Sequence, residues 1–180
     1  MTDATQTPTP ESPPSQPVPQ PERQAAEPVR IFLVVVDDSP ELKVALRYAC
    51  LRARKSGGKV ALLTVLEQGE MQHWLAVENL IREEQRAEAE QKLQKLAREV
   101  NQLTGTLPAL YVREGNRLEE VLALIAEEPS ISILVLAAGT DPEGPGPLIS
   151  YYTGRGLGRL RIPLTIVPGG LSNEALDAIT

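Results

Sequence analysis

The chain has 180 residues, with 18 Lys and Arg against 24 Asp and Glu, a formal net charge of −6, one Cys and 3% aromatic residues. That acidic balance excludes a general electrostatic grip on nucleic acid or on an anionic membrane surface. The single cysteine, Cys50, leaves no internal disulfide, and no apolar run reaches the ~20 residues of a membrane span, so a soluble, cytoplasmic protein is expected.

Residues 1–28 hold eight of the 16 prolines among Thr, Ser, Gln and Glu, without the basic start and apolar core of a secretory signal. Such a segment buries too little apolar surface to offset its ordering entropy, and it is expected to be a disordered tether of polyproline character. Residues 29–171 fit one domain with one core, and 172–180 read as a C-terminal tail.

"VRIFLVVV" (29–36) is a β-branched apolar run too short for a buried helix, which predicts a central strand covered on both faces. It stops at Asp37. Ser39 is the expected N-cap and Pro40 the first residue of a helix whose Leu42, Ala45, Leu46, Ala49, Cys50 and Ala53 recur at helical spacing. Cys50 falls on that apolar stripe, which reads as a buried, inert thiol. "SGG" (56–58) ends the helix and "KVALLTVLE" (59–67) is a second strand, so the unit is parallel and right-handed. After "QGEMQH", a long helix is predicted from Trp74 to Leu103. Ala89, Leu93, Leu96, Val100 and Leu103 form its inner stripe, with Glu88 and Lys92 a pair one turn apart. "ALYVRE" (109–114) is a third strand, and Asn116 with Glu119 has capping-box spacing before a helix with Leu118, Val121, Leu122 and Ile125 inside, stopped at Pro129. "ISILVLAA" (131–138) is the fourth strand. A short helix with few apolar residues is expected between Leu148 and Leu160, then an edge strand, "PLTIVP" (163–168), with proline at both ends.

Alternating strands and helices predict an α/β fold: a single doubly wound, Rossmann-like open parallel sheet of five strands with helices on both faces. Ligands in such sheets lie beyond the carboxyl ends of the strands where the winding reverses. If the chain runs outward through strands two and three and returns to set strand four beside strand one, Asp37 and Gly139 share one crevice. The stretch 139–147, "GTDPEGPGP", is then the candidate site. It is not a Walker loop, since Pro145 and Gly146 stand where lysine and hydroxyl belong, and "DDSP" after strand one has no Rossmann glycine.

Taken together, "LVVVDDSPELKVALRYA", "VREGNRLEEVLALIAEE", "ISILVLAAGT" and "RLRIPLTIVPG" resemble the universal stress protein family, within the nucleotide-binding α-hydrolase-like superfamily, over roughly Arg30 to Gly170. The resemblance implies strand order 3-2-1-4-5 and a homodimer paired through the last strand, at Leu164, Thr165, Ile166 and Val167. A proline at Thr165 is expected to separate that dimer. In members that bind ATP, the aspartate ending strand one, the end of strand two and the glycine loop after strand four surround the nucleotide; here these are Asp37, Val65 and the loop beginning at Gly139 and Thr140. The family's pattern of glycine, two residues, glycine, nine residues, glycine and then Ser or Thr is degenerate: Pro142 holds the second glycine position after Gly139.

Three prolines also remove N–H donors from a loop whose donors would make the cradle. Gly144, Gly146 and the Ser150 hydroxyl remain as phosphate ligands at the start of the last helix, with Arg155 as a helper. Asp37 and Asp38, beside Ser39, read either as a magnesium recruiter beside bound phosphates or as acids that offset the helix dipole. Ser39 has no visible base partner and His73 is the one histidine, so no enzyme beyond weak nucleotide hydrolysis is expected. Two functions remain open: a stress-response module binding ATP with magnesium, or another adenine nucleotide, and a non-nucleotide dimeric interaction protein whose glycine-proline loop is structural.

Overall fold

The computed structural model describes residues 29–67, 75–142 and 144–180, and of 75–78 the backbone alone. The proline-rich segment, the "QGEMQH" loop, His73 and Trp74 lie outside the described residues. β1 (Ile31–Val36) is apolar throughout because both of its faces are covered. Phe32, Val34 and Val36 pack with Leu46, Ala49 and Cys50 of α1 (Leu42–Ser56) and with Leu93, Leu96 and Val100 of α2 (Leu75–Thr104). Leu33 and Val35 point the other way, towards Val121, Leu124 and Ile125 of α3 (Arg117–Glu127) and Leu148, Ile149 and Tyr152 of α4 (Pro147–Tyr152). Alternate side chains of one strand thus feed two cores, as a buried parallel sheet requires.

β2 (Lys59–Leu66), β3 (Ala109–Glu114), β4 (Ile131–Ala138) and β5 (Leu164–Pro168) complete an all-parallel sheet in the order β3-β2-β1-β4-β5. β1 lies beside β2 with Ile31 opposite Lys59 and Val36 opposite Thr64. On its other side the register with β4 shifts after Ile31, where the Ile31 N–H donates to the Ser132 hydroxyl at 3.3 Å. The winding direction therefore reverses between β1 and β4, as the sequence predicts, and β5 is an edge strand paired only with β4.

Helix ends follow local chemistry, with one exception. Gly57, at φ 66°, closes α1 in the left-handed conformation. Asn116 caps α3 by accepting the Leu118 and Glu119 N–H groups, but Glu119 does not complete the box; it turns to Arg159. The exception is α1. Ser39 is not its N-cap: its hydroxyl and N–H both donate to Asp37 Oδ1, at 2.6 and 3.0 Å, in a turn of their own, and the helix begins two residues later behind Glu41. A second departure lies at the C-terminus. Residues expected as a tail contain α5 (Asn173–Ile179), capped by Ser172, with Leu176 fully buried in the core and Asp177 bonded to Arg47 of α1 at 2.7 Å. Among the described residues no helix is long and apolar enough to cross a membrane.

Candidate functional site

The ends of β1 and β4 leave a crevice with two lobes. The larger, of about 480 Å³, lies between the β1–α1 loop and the segment 139–150; the smaller, of about 260 Å³, lies over the end of β2 and against α2. Asp37 and Arg117 stand in the walls of both. Such a place, at a reversal of winding, is where an open α/β sheet has backbone ends and loops free to meet a ligand.

Asp37 directly follows β1, and its carboxylate is spent on the turn: Oδ1 accepts both donors of Ser39. Asp38 is fully exposed and paired with Lys92 of α2 at 2.7 Å, while the same Lys92 ammonium also donates to the Asp37 carbonyl. Lys92 thus fastens α2 to the β1–α1 loop instead of pairing with Glu88. Its hydrogen bond and charge hold the Asp38 carboxyl below the ordinary carboxylate range, with a smaller pull from Arg117. No group of three His, Cys, Asp or Glu suited to a metal occurs among the described residues.

Arg117 opens α3 and pairs with Glu67, Nη2 to Oε2 at 3.2 Å, while its own N–H reaches Glu67 Oε1 at 3.4 Å. Its Nε is buried without a partner, while the guanidinium as a whole is partly exposed and lines both lobes.

Glu41 is the other unforeseen residue. It is only 7% exposed, lines the larger lobe, and its Oε1 accepts the Thr140 N–H at 3.2 Å and the Thr140 hydroxyl at 3.4 Å. Gly169 leaves room for it, since a Cβ there would stand 2.4 Å from Glu41 Cγ. The start of the 15-residue α1 offsets part of the cost of burying this charge.

Several N–H groups of the glycine-proline loop are bonded locally. The Gly139 N–H donates to the Pro145 carbonyl at 3.2 Å, that of Gly144 to Asp141 at 3.1 Å, that of Ser150 to Gly146 at 3.0 Å and that of Thr140 to Glu41. Pro142, Pro145 and Pro147 have none to give.

Of the residues singled out in the sequence, Asp37, Ser39, Gly139, Gly144, Gly146 and Ser150 meet in the larger lobe, and Asp37, Asp38 and Val65 in the smaller. Thr140 lines neither; it is turned to Glu41. Arg155 is not in the crevice, because its guanidinium sits 5.6 Å from the Tyr151 ring centroid. Sequence reasoning missed Glu41 and Arg117, and it assigned Lys92 to Glu88 instead of to the β1–α1 loop. Arg117 was within reach: it follows the cap residue Asn116 at the carboxyl end of a strand, the edge where sites form.

The sequence profile of the Universal stress protein family matches residues 28–149. No curated protein matches the chain in sequence. Among solved structures, a universal stress protein from Lactobacillus plantarum superposes with a TM-score of 0.65 at 19% identity, over 79% of this chain and 99% of its own. A universal stress protein in complex with cAMP gives 0.55 at 15% identity, over 79% and 98%. One from Arabidopsis thaliana with AMP bound gives 0.53 at 13% identity, over 78% and 92%. At these identities the likeness is one of fold.

Proposed function

The chain belongs to the universal stress protein family, and we propose that it is a stress-response module that holds an adenine nucleotide in the crevice between β1 and β4. The observation that carries this is the pair of neighbouring lobes that share Asp37 and Arg117 in their walls: a smaller one walled by Val65 and Thr64, suited to a flat base, and a larger one in which the remainder of the ligand would lie. The partly exposed Arg117 guanidinium, which lines both lobes, suits a phosphate or a ribose oxygen. Two structural relatives described with cAMP and with AMP support the choice of ligand class. The function is one of binding rather than catalysis, needs no resident magnesium and is assigned to the cytoplasm. Calorimetric titration of the full chain with AMP, cAMP and ATP tests it. Saturable binding that Asp37→Ala abolishes agrees; no heat with any of the three refutes it.

A second reading, a non-nucleotide interaction module, is favoured by one specific observation, the local bonding of the Gly139 and Gly144 N–H groups within the glycine-proline loop. It predicts no binding of any adenine nucleotide. Both readings take the chain as a homodimer through β5, where Ile166 is 39% exposed on the open edge. The proline test belongs at Ile166 and not at Thr165. In this parallel ladder Leu134 donates to the Pro163 carbonyl and Gly169 to Ala138, so the alternation turns the Thr165 and Val167 N–H groups towards β4 and that of Ile166 outward. A proline at Thr165 would damage the sheet itself. Ile166→Pro should halve the mass seen by sedimentation, and an unchanged mass would exclude the β5 interface.

A further inference from the structure

We infer that Glu41 is a built-in occupant of the anion seat in the glycine-proline loop, and that the site therefore selects an adenine nucleotide with a single phosphate over one with a triphosphate. The inference rests on the nucleotide reading above.

An oligophosphate tail is normally held by backbone N–H groups of a loop and by cations that offset its charge. Here the first N–H after Gly139, that of Thr140, and the Thr140 hydroxyl already donate to the Glu41 carboxylate. The carboxylate takes the same donors that a phosphate oxygen would take. It cannot easily leave, because it is buried between the start of α1, Thr140 and Gly169, whose missing Cβ makes its space. The Gly139 and Gly144 N–H groups are bonded within the loop. The charge around the larger lobe is equally unsuited to a polyanion. Asp37, Glu41 and Asp141 line it against one cation, Arg117, which is already paired with Glu67. A base and ribose with one phosphate beside Arg117 meets the partly exposed guanidinium and the apolar walls of Val36, Val65 and Leu66. Further phosphates would have to enter a lobe where the fixed charges repel them and the Gly139, Thr140 and Gly144 N–H groups are taken.

The test compares AMP and ATP, with and without magnesium, on the full chain and on Glu41→Gln, a change that removes the charge and keeps the shape. The intact protein should bind AMP about tenfold or more tightly than ATP, the factor expected when a charged group loses its hydrogen bonds to a competing acceptor. Glu41→Gln should bring the two affinities to within about threefold of each other. An intact protein that binds ATP as tightly as AMP overturns the inference and leaves the nucleotide reading standing; this arm needs no variant. A preference for AMP that Glu41→Gln leaves unchanged, in a variant whose thermal midpoint shows it folded, overturns the role given to Glu41. Failure of both nucleotides to bind removes the nucleotide reading and this inference with it.

Discussion

Gly169→Ala tests the packing that seats Glu41. A Cβ at this position would stand 2.3 Å from the Ala138 carbonyl oxygen and 2.4 Å from Glu41 Cγ, and neither is the loose end of a flexible chain. Ordinary carbon–oxygen contact begins near ~3.3 Å, so the end of β4 and the residue after β5 must part by about 1 Å. That separation stretches the bond from the Gly169 N–H to the Ala138 carbonyl, now 3.0 Å. Overpacking of a tight core costs about 1–3 kcal/mol and a lost backbone hydrogen bond about 1, for a total of about 2–4 kcal/mol. Urea unfolding followed by circular dichroism measures it, with Gly158→Ala as the control, because a Cβ at Gly158 meets no atom within 4 Å. The control should stay within about 0.5 kcal/mol of the parent. A Gly169→Ala loss no larger than the control's would refute the close approach and the confinement of Glu41 derived from it.

Asn116→Ala removes a side chain that accepts two N–H groups of α3, and urea unfolding should show a loss of about 1 kcal/mol. Leu176→Ala should cost about 2–4 kcal/mol by the same measurement, since the side chain is fully buried; a near-neutral effect would mean that α5 does not dock. Burial pushes the Cys50 thiol up from 9.0 to about 12, with Glu99 adding and Arg47 opposing, so the native thiol should resist a thiol reagent at pH 8 that labels the unfolded chain at once. The folded state keeps a proton that the unfolded state gives up, so stability holds below pH 9.0 and falls as pH rises from there towards about 12. Rapid labelling of the folded chain would contradict the burial.

The sheet was legible because its signals are local. Six consecutive apolar residues in β1 imply two covered faces, Asn116 and Gly57 mark helix ends by their own chemistry, and alternation of strand and helix leaves few topologies. What escaped the sequence depends on pairs far apart in the chain. Ser39 has the right residue type for a cap, yet it lies in a turn with Asp37 two positions back and the helix starts only behind Glu41. Lys92 has Glu88 one turn away and instead reaches the loop after β1, 54 residues back in sequence. Glu41 reads as an ordinary first-turn acid until the fold sets Thr140 and Gly169 against it. The C-terminal helix was missed because "SNEALDAI" holds only enough apolar residues for one contact, which α1 supplies. The crevice itself could be located by the rule of the winding switch, but its charge and spent donors are properties of the assembled loops.

The most direct measurement of the central claim is an amide chemical-shift titration of the full chain with AMP. The account predicts saturable shifts concentrated at residues 36–39, 64–67 and 116–118, around Asp37 and Arg117, and small ones on the β3 edge. Shifts elsewhere, or none at millimolar AMP, would contradict it.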